Sequence, residues 1–450
     1  MEKRSDFTQG PILAKLLRFA MPVLGAMILQ VMYGAVDLMV VGRFADAAAV
    51  SAVSTGSQLM HTITTVVTGL SMGTTVLLGR TLGEGRSERA GGVIGGAIWL
   101  FGALALALSA MTVVFAPQLC GLMHAPAEAF EQTVSYVRIC GAGTLFIVAY
   151  NVLGSVFRGI GDSKTPLLSV IIACIANIAG DLLFVCGLKL AAAGAALATV
   201  MAQALSVAIC LVVIKKRGLP FPFTAKDMNL SLRPITATMR LGAPIALQDL
   251  LVSLSFMVIL AIVNSLGLVA SAGVGVAEKL CGFIMLVPSA FSQSLSAFVA
   301  QNIGAGKPQR ARRAMLCGML ASFTIGMAMF YMGFFHGDVM CGWFAGDPQV
   351  IAAGADYLKS YAIDTLMTAF LFCFIGYFNG CGATTFVMLQ GLIGAFGVRI
   401  PVSFVMSRME PVSLFKIGMA TPSSTLVQIV LCTGFLLWQV RKERINRRIG

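Results

Sequence analysis

The sequence predicts an all-α polytopic membrane protein with twelve transmembrane helices in two six-helix lobes related by an internal repeat. Three observations lead there. The chain is 58% hydrophobic and only 11% charged, with a mean hydropathy of +0.88, which is too apolar for a water-soluble globule. Apolar runs of about 20 residues, each long enough to cross a bilayer, recur along the whole length. Short motifs from the first half reappear in the second at an offset of 221–222 residues.

The first span, 15–42, starts among Lys15 and Arg18, contains Pro22 and is interrupted by Asp37. The second, 50–79, stops at Arg80, and the third, 91–117, begins after Arg86 and Arg89. The fourth, 129–157, ends at Arg158; the fifth, 165–188, opens after Lys164 and carries Asn177 and Asp181. The sixth, 190–214, holds Thr199 and closes on Lys215, Lys216 and Arg217. Six more follow at 238–264, 269–300, 314–336, 350–379, 384–407 and 412–440. Their Gly and Ala content suits close helix packing in lipid better than strands of a barrel.

The net charge of +13 raises the question of nucleic acid, and the placement of the charges answers it. Basic residues gather in alternate loops: Lys3, Arg4, Lys15 and Arg18, then Arg80, Arg86 and Arg89, then Arg158 and Lys164. Lys215, Lys216, Arg217, Lys226, Arg233 and Arg240 continue the series, followed by Lys307, Arg310, Arg312 and Arg313. It ends with Arg441, Lys442, Arg444, Arg447 and Arg448, while the intervening loops hold Arg43, Lys189, Arg408 and Lys416, a bias of 24 against 4. That is the positive-inside pattern, and it places both termini in the cytoplasm. No basic face is interleaved with aromatics, so no nucleic-acid partner is expected. The eleven cysteines are scattered without a C-x-x-C pair, and the three histidines lie far apart. They read as packing residues, with no metal centre or cofactor. The first apolar run is too long for a signal peptide and is expected to remain as a helix.

The repeat defines the domains. Arg18-Phe-Ala-Met-Pro22 recurs as Arg240-Leu-Gly-Ala-Pro244, Gly83-Glu-Gly85-Arg86 as Gly304-Ala-Gly306-Lys307, and Gly159-Ile-Gly161 as Gly380-Cys-Gly382. Three matches at one offset are hard to attribute to chance. Six spans per half give parallel lobes, an architecture of alternating-access transporters. We assign residues 1–217 to the N-lobe, 218–237 with its three prolines to a cytoplasmic linker, and 238–450 to the C-lobe.

A carboxylate inside a span costs roughly 2.5–3.5 kcal/mol even on lenient insertion scales, so Asp37 and Asp181 need a purpose. Asn177 and Asp181 are four residues apart and share a helix face. Straight-helix spacing places Asp37, Asp181 and Thr199 at compatible depths, with Tyr33 one turn before Asp37. Asn151 lies about 10 Å from Arg158 along the fourth helix and joins the group only if that helix is kinked. Withdrawal from water favours the protonated carboxyl, and a second carboxylate beside it favours protonation of one of the pair. Such a pair can exchange a proton for a cation held by carboxylate and amide oxygens, which makes Asp37, Asp181 and Asn177 candidate sodium ligands. The alternative is that each Asp only bonds a neighbour across a helix interface. Pro22 can hinge the first helix. At the C-lobe equivalents of Asp37 and Asp181 the offset finds Ile259 and Val402, so ion handling is expected in the N-lobe. The C-lobe has its own polar groups in Gln248, Asp249, Glu278, Lys279 and Asp364; Glu278 and Lys279 read as a neutralised pair. Gln30, Gln248, Lys279 and Met257 are the candidates for the substrate cavity.

Two motifs compete. Gly159-Ile-Gly161-Asp162 matches the G-x-G-D string of intramembrane aspartyl proteases but sits at a charged helix end with no second carboxylate motif. Gly304-Ala-Gly306-Lys307 lacks the first Gly and the Ser or Thr of a phosphate loop. Neither supports an enzyme, and nothing resembles an ATPase module.

Taken together, Arg18…Pro22, Asp37-Leu-Met-Val-Val-Gly42-Arg43, Gly79-Arg80…Gly83-Glu-Gly85, Arg158-Gly-Ile-Gly-Asp-Ser-Lys-Thr-Pro166 and Gln301-Asn-Ile-Gly-Ala305 resemble the multidrug and toxic compound extrusion (MATE) family over nearly the full length. The N-lobe is similar to its DinF-type branch, where a first-helix Asp, a proline kink and polar residues on helices 4–6 are linked to cation coupling. Those features match Asp37, Pro22, Tyr33, Asn151, Asn177, Asp181 and Thr199. The resemblance implies a secondary active efflux antiporter, working as a monomer, that exports amphipathic cationic drugs in exchange for H⁺ or Na⁺. Asp249 and Asp364 lie about one turn from the acids of the NorM-type C-lobe. The competing implication is a lipid-linked sugar flippase, for whose phosphates only Arg138, Lys279, Lys359 and Arg399 offer intramembrane bases.

Overall fold

The computed structural model describes residues 7–449, with the side chains of Arg444 and residues 446–449 excepted. Lys3, Arg4 and the side chains of Arg444, Arg447 and Arg448 therefore lie outside the described residues. Each apolar run forms a helix: α1 Ile12–Phe44, α2 Ala47–Gly83, α3 Ser87–Val114, α5 Lys164–Gly187 and α6 Ala191–Arg217. The fourth span, α4, is a bent pair, Ala127–Ala142 and Thr144–Gly159, with 49° between its halves. The second half contributes α7 Leu232–Asn264, α8 Leu268–Gly304, α9 Pro308–Phe335, α10 Pro348–Gly380, α11 Thr384–Ser407 and α12 Leu414–Glu443. No strand occurs among the described residues. Large apolar side chains such as Met39, Leu106 and Leu320 remain exposed on helix faces, as expected where lipid replaces water.

Two of the motifs that recur between the halves are helix stops. Gly85 and Gly306 have φ of 72° and 69°, and Gly161 and Gly382 have 82° and 78°. Only glycine adopts that left-handed conformation without penalty, so the turn after the second and fourth helix of each half demands it. Asp162, the acid of the G-x-G-D string, caps α5: its carboxylate accepts from the Lys164 and Thr165 amides at 3.0 and 3.1 Å. That use as a cap follows from the orphan amides of a helix start.

The helices pack as two compact units, one running to Ala246 with Ala300–Lys307, the other Leu247–Val299 with Pro308 onward. The packing boundary thus falls inside α7 and the end of α8, not at the repeat boundary. Two glycines explain the first case. A Cβ on Gly73 of α2 would lie 2.5 Å from the Thr238 carbonyl oxygen, and one on Gly242 of α7 would overlap the Leu70 carbonyl. Without side chains there, the backbones meet. At the end of α8, Gln301 Nε2 donates to the Gly159 carbonyl at 2.8 Å and Asn302 Nδ2 to the Phe7 carbonyl at 3.2 Å.

The linker is docked rather than loose. Thr224 and Asp227 form a reciprocal cap over a short helical turn, Ala225–Met228. That turn seats on Gly91 and Gly95 of α3, and Trp99 Nε1 donates to the Met228 carbonyl at 2.7 Å. The first unit is filled by Val67, Phe101, Tyr136 and Val148 beneath α2–α4. The second has its own core of Ile259, Leu280, Tyr357 and Leu358.

Candidate cation site in the first unit

The site begins with the approach of α5 and α6. A Cβ on Gly180 would lie 3.0 Å from Ala198 Cβ, and one on Gly194 would lie 3.0 Å from the Phe184 backbone. Small residues at both crossings bring Asp181, the neighbour of Gly180, onto the same level as Thr199, the neighbour of Ala198. Just past Asp181 the helix widens into a π turn, Leu182–Gly187. Such turns are uncommon and concentrate at functional sites.

Three helices then converge. Thr199 Oγ1 donates to Asp37 Oδ2 at 3.2 Å. Asp181 and Asn177 face Asp37 at interaction range, without hydrogen bonds of standard geometry. Asp37 is 5% exposed, and Asn177 and Asp181 are fully buried. One oxygen of Asp37, one of Asn177 and both of Asp181 have no hydrogen-bond donor. Buried acceptors without donors are rare because each forfeits the hydration it had. Four on converging side chains make a cluster of oxygens suited to a proton or a small cation. Among the described residues no group of three or more His, Cys, Asp or Glu gathers to hold a metal ion, here or elsewhere.

The remaining expected residues divide. Tyr33 joins the edge of the cluster, its hydroxyl accepting from Gln203 Nε2 at 3.3 Å. Gln203 was not among the expected residues, although it stands one turn beyond Thr199 on the same helix face. Asn151 is not brought to Asp37. Its Oδ1 accepts from Thr68 at 2.9 Å and its Nδ2 donates to the Ile147 carbonyl at 2.8 Å, so it ties α4 to α2. The kink in α4 is present between Ala142 and Thr144, yet Asn151 bonds across to α2. Pro22 lies within an uninterrupted α1.

Of the cavity candidates, Gln248 is buried against Gly391, Gln30 is half-buried, and Lys279 and Met257 are exposed. Glu278 and Lys279 do not form an ion pair among the described residues. Adjacent residues on a helix point about 100° apart and cannot face each other. The C-lobe position equivalent to Asp181 also differs from the expected Val402. α11 has its π turn at Ile393–Arg399, before that position; α5 has its own after it. The extra residue shifts the register by one, so Ser403 rather than Val402 matches Asp181.

Gly143, at the bend of α4, faces α6 beside Thr199: a Cβ there would lie 2.6 Å from Val200 Cγ1 and overlap Cγ2. Gly143→Val is expected to push α6 away and cut coupled transport at least about tenfold, with a lower melting temperature from overpacking. Transport at the wild-type rate in the purified variant would show that Thr199 need not be held there.

The MatE family model matches residues 22–183 and 244–405, two copies whose starts and ends lie 222 residues apart. Among curated proteins, the chain is 24% identical over 438 residues to the Probable multidrug resistance protein YoeA of Bacillus subtilis (strain 168), covering 96% of this chain and 95% of that protein. It is 27% identical over 357 residues to an FAD transporter of Shewanella oneidensis, 78% of each chain. A crystal structure of MATE in complex with MaD3S superposes with a TM-score of 0.90 at 20% identity, over 99% of this chain and 100% of that one. MATE in the straight conformation gives 0.89 at the same identity and coverage. These structures establish a common twelve-helix fold. With the family model matching both halves of its repeat, the chain belongs to the MatE family and is a multi-pass membrane transporter, not an enzyme.

Proposed function

We propose that the chain is a secondary active efflux antiporter that exports amphipathic, cationic drugs or toxic compounds in exchange for H⁺ or Na⁺. The observation carrying this reading is the Asp37–Asn177–Asp181–Thr199 cluster with its unfilled oxygens. The names of relatives, multidrug resistance and multidrug export proteins, support drug export. Two carboxylates that cannot both stay ionised in an apolar interior load either a proton or a cation. Loading changes the charge of the lobe and so biases one of two arrangements of its helices. No cofactor is required in this scheme. The bias in basic loops supports both termini on the inner side of a bacterial cytoplasmic membrane; in this reading the chain works there as a monomer with no nucleic-acid partner. The test is survival of a pump-deficient bacterium expressing the chain under ethidium-like dyes and fluoroquinolones. Protection is expected; its absence with the protein in the membrane would favour a lipid flippase.

Pro22 leaves one α1 backbone carbonyl without its helical donor, which lowers the cost of bending. Pro22→Ala is expected to slow transport several-fold while melting temperature and dye affinity stay near wild type. A wild-type transport rate in the same preparation would mean that α1 does not bend there.

A further inference from the structure

The cation site has a counterpart in the second unit with the opposite charge. At the 222-residue spacing of the two family matches, Tyr33 corresponds to Ser255, Asp37 to Ile259, Asn177 to Arg399 and Asp181 to Ser403. Both acids have gone and a guanidinium has arrived. Arg399 is 5% exposed. Its Nη1 donates to Ser255 Oγ at 3.0 Å, and its guanidinium carbon lies 4.3 Å from the centre of the Phe256 ring.

Those contacts orient the guanidinium without neutralising it. Arg399 Nε has no acceptor, and Ser403 Oγ, one turn further along, has no partner. Asp364 of α10 is within electrostatic reach, but no carboxylate among the described residues comes within ion-pair distance of Arg399. One Asp364 oxygen is itself without a donor. A structural ion pair would close these valences on each other, because a half-satisfied buried pair costs more than an apolar contact. A planar donor fork fixed by a serine and an aromatic face is instead the arrangement that receives a carboxylate or phosphate.

We infer that Arg399 is a substrate-binding residue that takes an oxyanion, so that the transporter accepts zwitterionic and anionic amphipaths as well as cations. Asp364 moderates the charge of the free site, and Ser255 holds the fork in position. The inference rests on the transport reading only for the statement that the ligand is a substrate; binding itself does not depend on coupling.

The test is equilibrium binding to the purified full-length protein in detergent. The carboxylate probe is norfloxacin against its ethyl ester, and the phosphate probe is riboflavin 5′-phosphate against riboflavin. Wild type is expected to prefer at least one oxyanion-bearing member of these pairs at least about tenfold, and the pair showing it identifies the oxyanion. Arg399→Gln removes that preference and Arg399→Lys, a point charge without the fork, keeps part of it. No preference in wild type for either pair overturns the inference, and this arm needs no variant to fold. So does an equal loss of acid and ester in Arg399→Gln at unchanged melting temperature, which would make Arg399 a packing residue. Ethidium export by wild type is scored separately, and its failure counts against the antiporter reading alone.

Discussion

Asp37→Asn and Asp181→Asn are each expected to abolish coupled export, while Asp249→Asn and Asp364→Asn leave most of it. Asparagine preserves the size and hydrogen-bonding capacity of aspartate but cannot take up a proton or offer a formal charge to a cation. If Asp37 served only to accept from Thr199, the amide oxygen of Asn would do as well and transport would survive. Asp181 accepts from no donor at all, so a purely structural role would make its replacement neutral or even stabilising. The two readings therefore separate cleanly: melting temperature equal to or above wild type with export lost, against unchanged export. Dye efflux and thermal unfolding on the same variants decide it. Dead C-lobe variants beside active N-lobe variants, at equal expression, would place coupling in the C-lobe instead.

Gly83→Val and Gly304→Val are expected to be the most damaging changes outside that cluster. The two glycines are repeat partners, and they meet: a Cβ on Gly83 would overlap the Gln301 carbonyl, and one on Gly304 the Arg80 carbonyl. A backbone carbonyl cannot rotate aside as a side chain can, so the helix ends must separate. Overpacking of this kind costs about 1–3 kcal/mol, or a melting temperature lower by several degrees for a unit of this size. Export should fall with it. Gly92, which has nothing within 4 Å of a built Cβ, supplies the control: Gly92→Ala should leave export unchanged and the melting temperature at or slightly above wild type. Wild-type melting in both valine variants would show that this crossing is not tight in the membrane.

What the sequence revealed followed from cost. Apolar runs of about 20 residues have few alternatives to a spanning helix, and α1 to α12 fall where those runs lie. Asp37 and Asp181 stood out because a carboxylate in hydrocarbon must be compensated, and Thr199 and Asn177 followed from helical spacing. What stayed hidden depended on which face a helix turns inward. Asn151 has the right residue type on the right helix, yet Thr68 of α2 claims it. Gln203 is as polar as Asn177, but nothing in the chain announces that Tyr33 lies opposite. The π turns of α5 and α11 leave no mark in the hydropathy pattern, and they moved the equivalent of Asp181 from Val402 to Ser403. Arg399 was visible only as one of four intramembrane bases for a flippase's phosphates; its setting against Ser255 and Phe256, four helices earlier, was not legible.

The most direct test of the carboxylate site as the coupling centre is ethidium transport in proteoliposomes under separately imposed proton and sodium gradients. Wild type and the Asp37→Asn and Asp181→Asn variants should be compared at matched protein density. At least one gradient should drive wild-type transport, and neither gradient should drive it in either variant, although both still bind the dye. Gradient-driven transport that persists in both variants would contradict the assignment of coupling to Asp37 and Asp181.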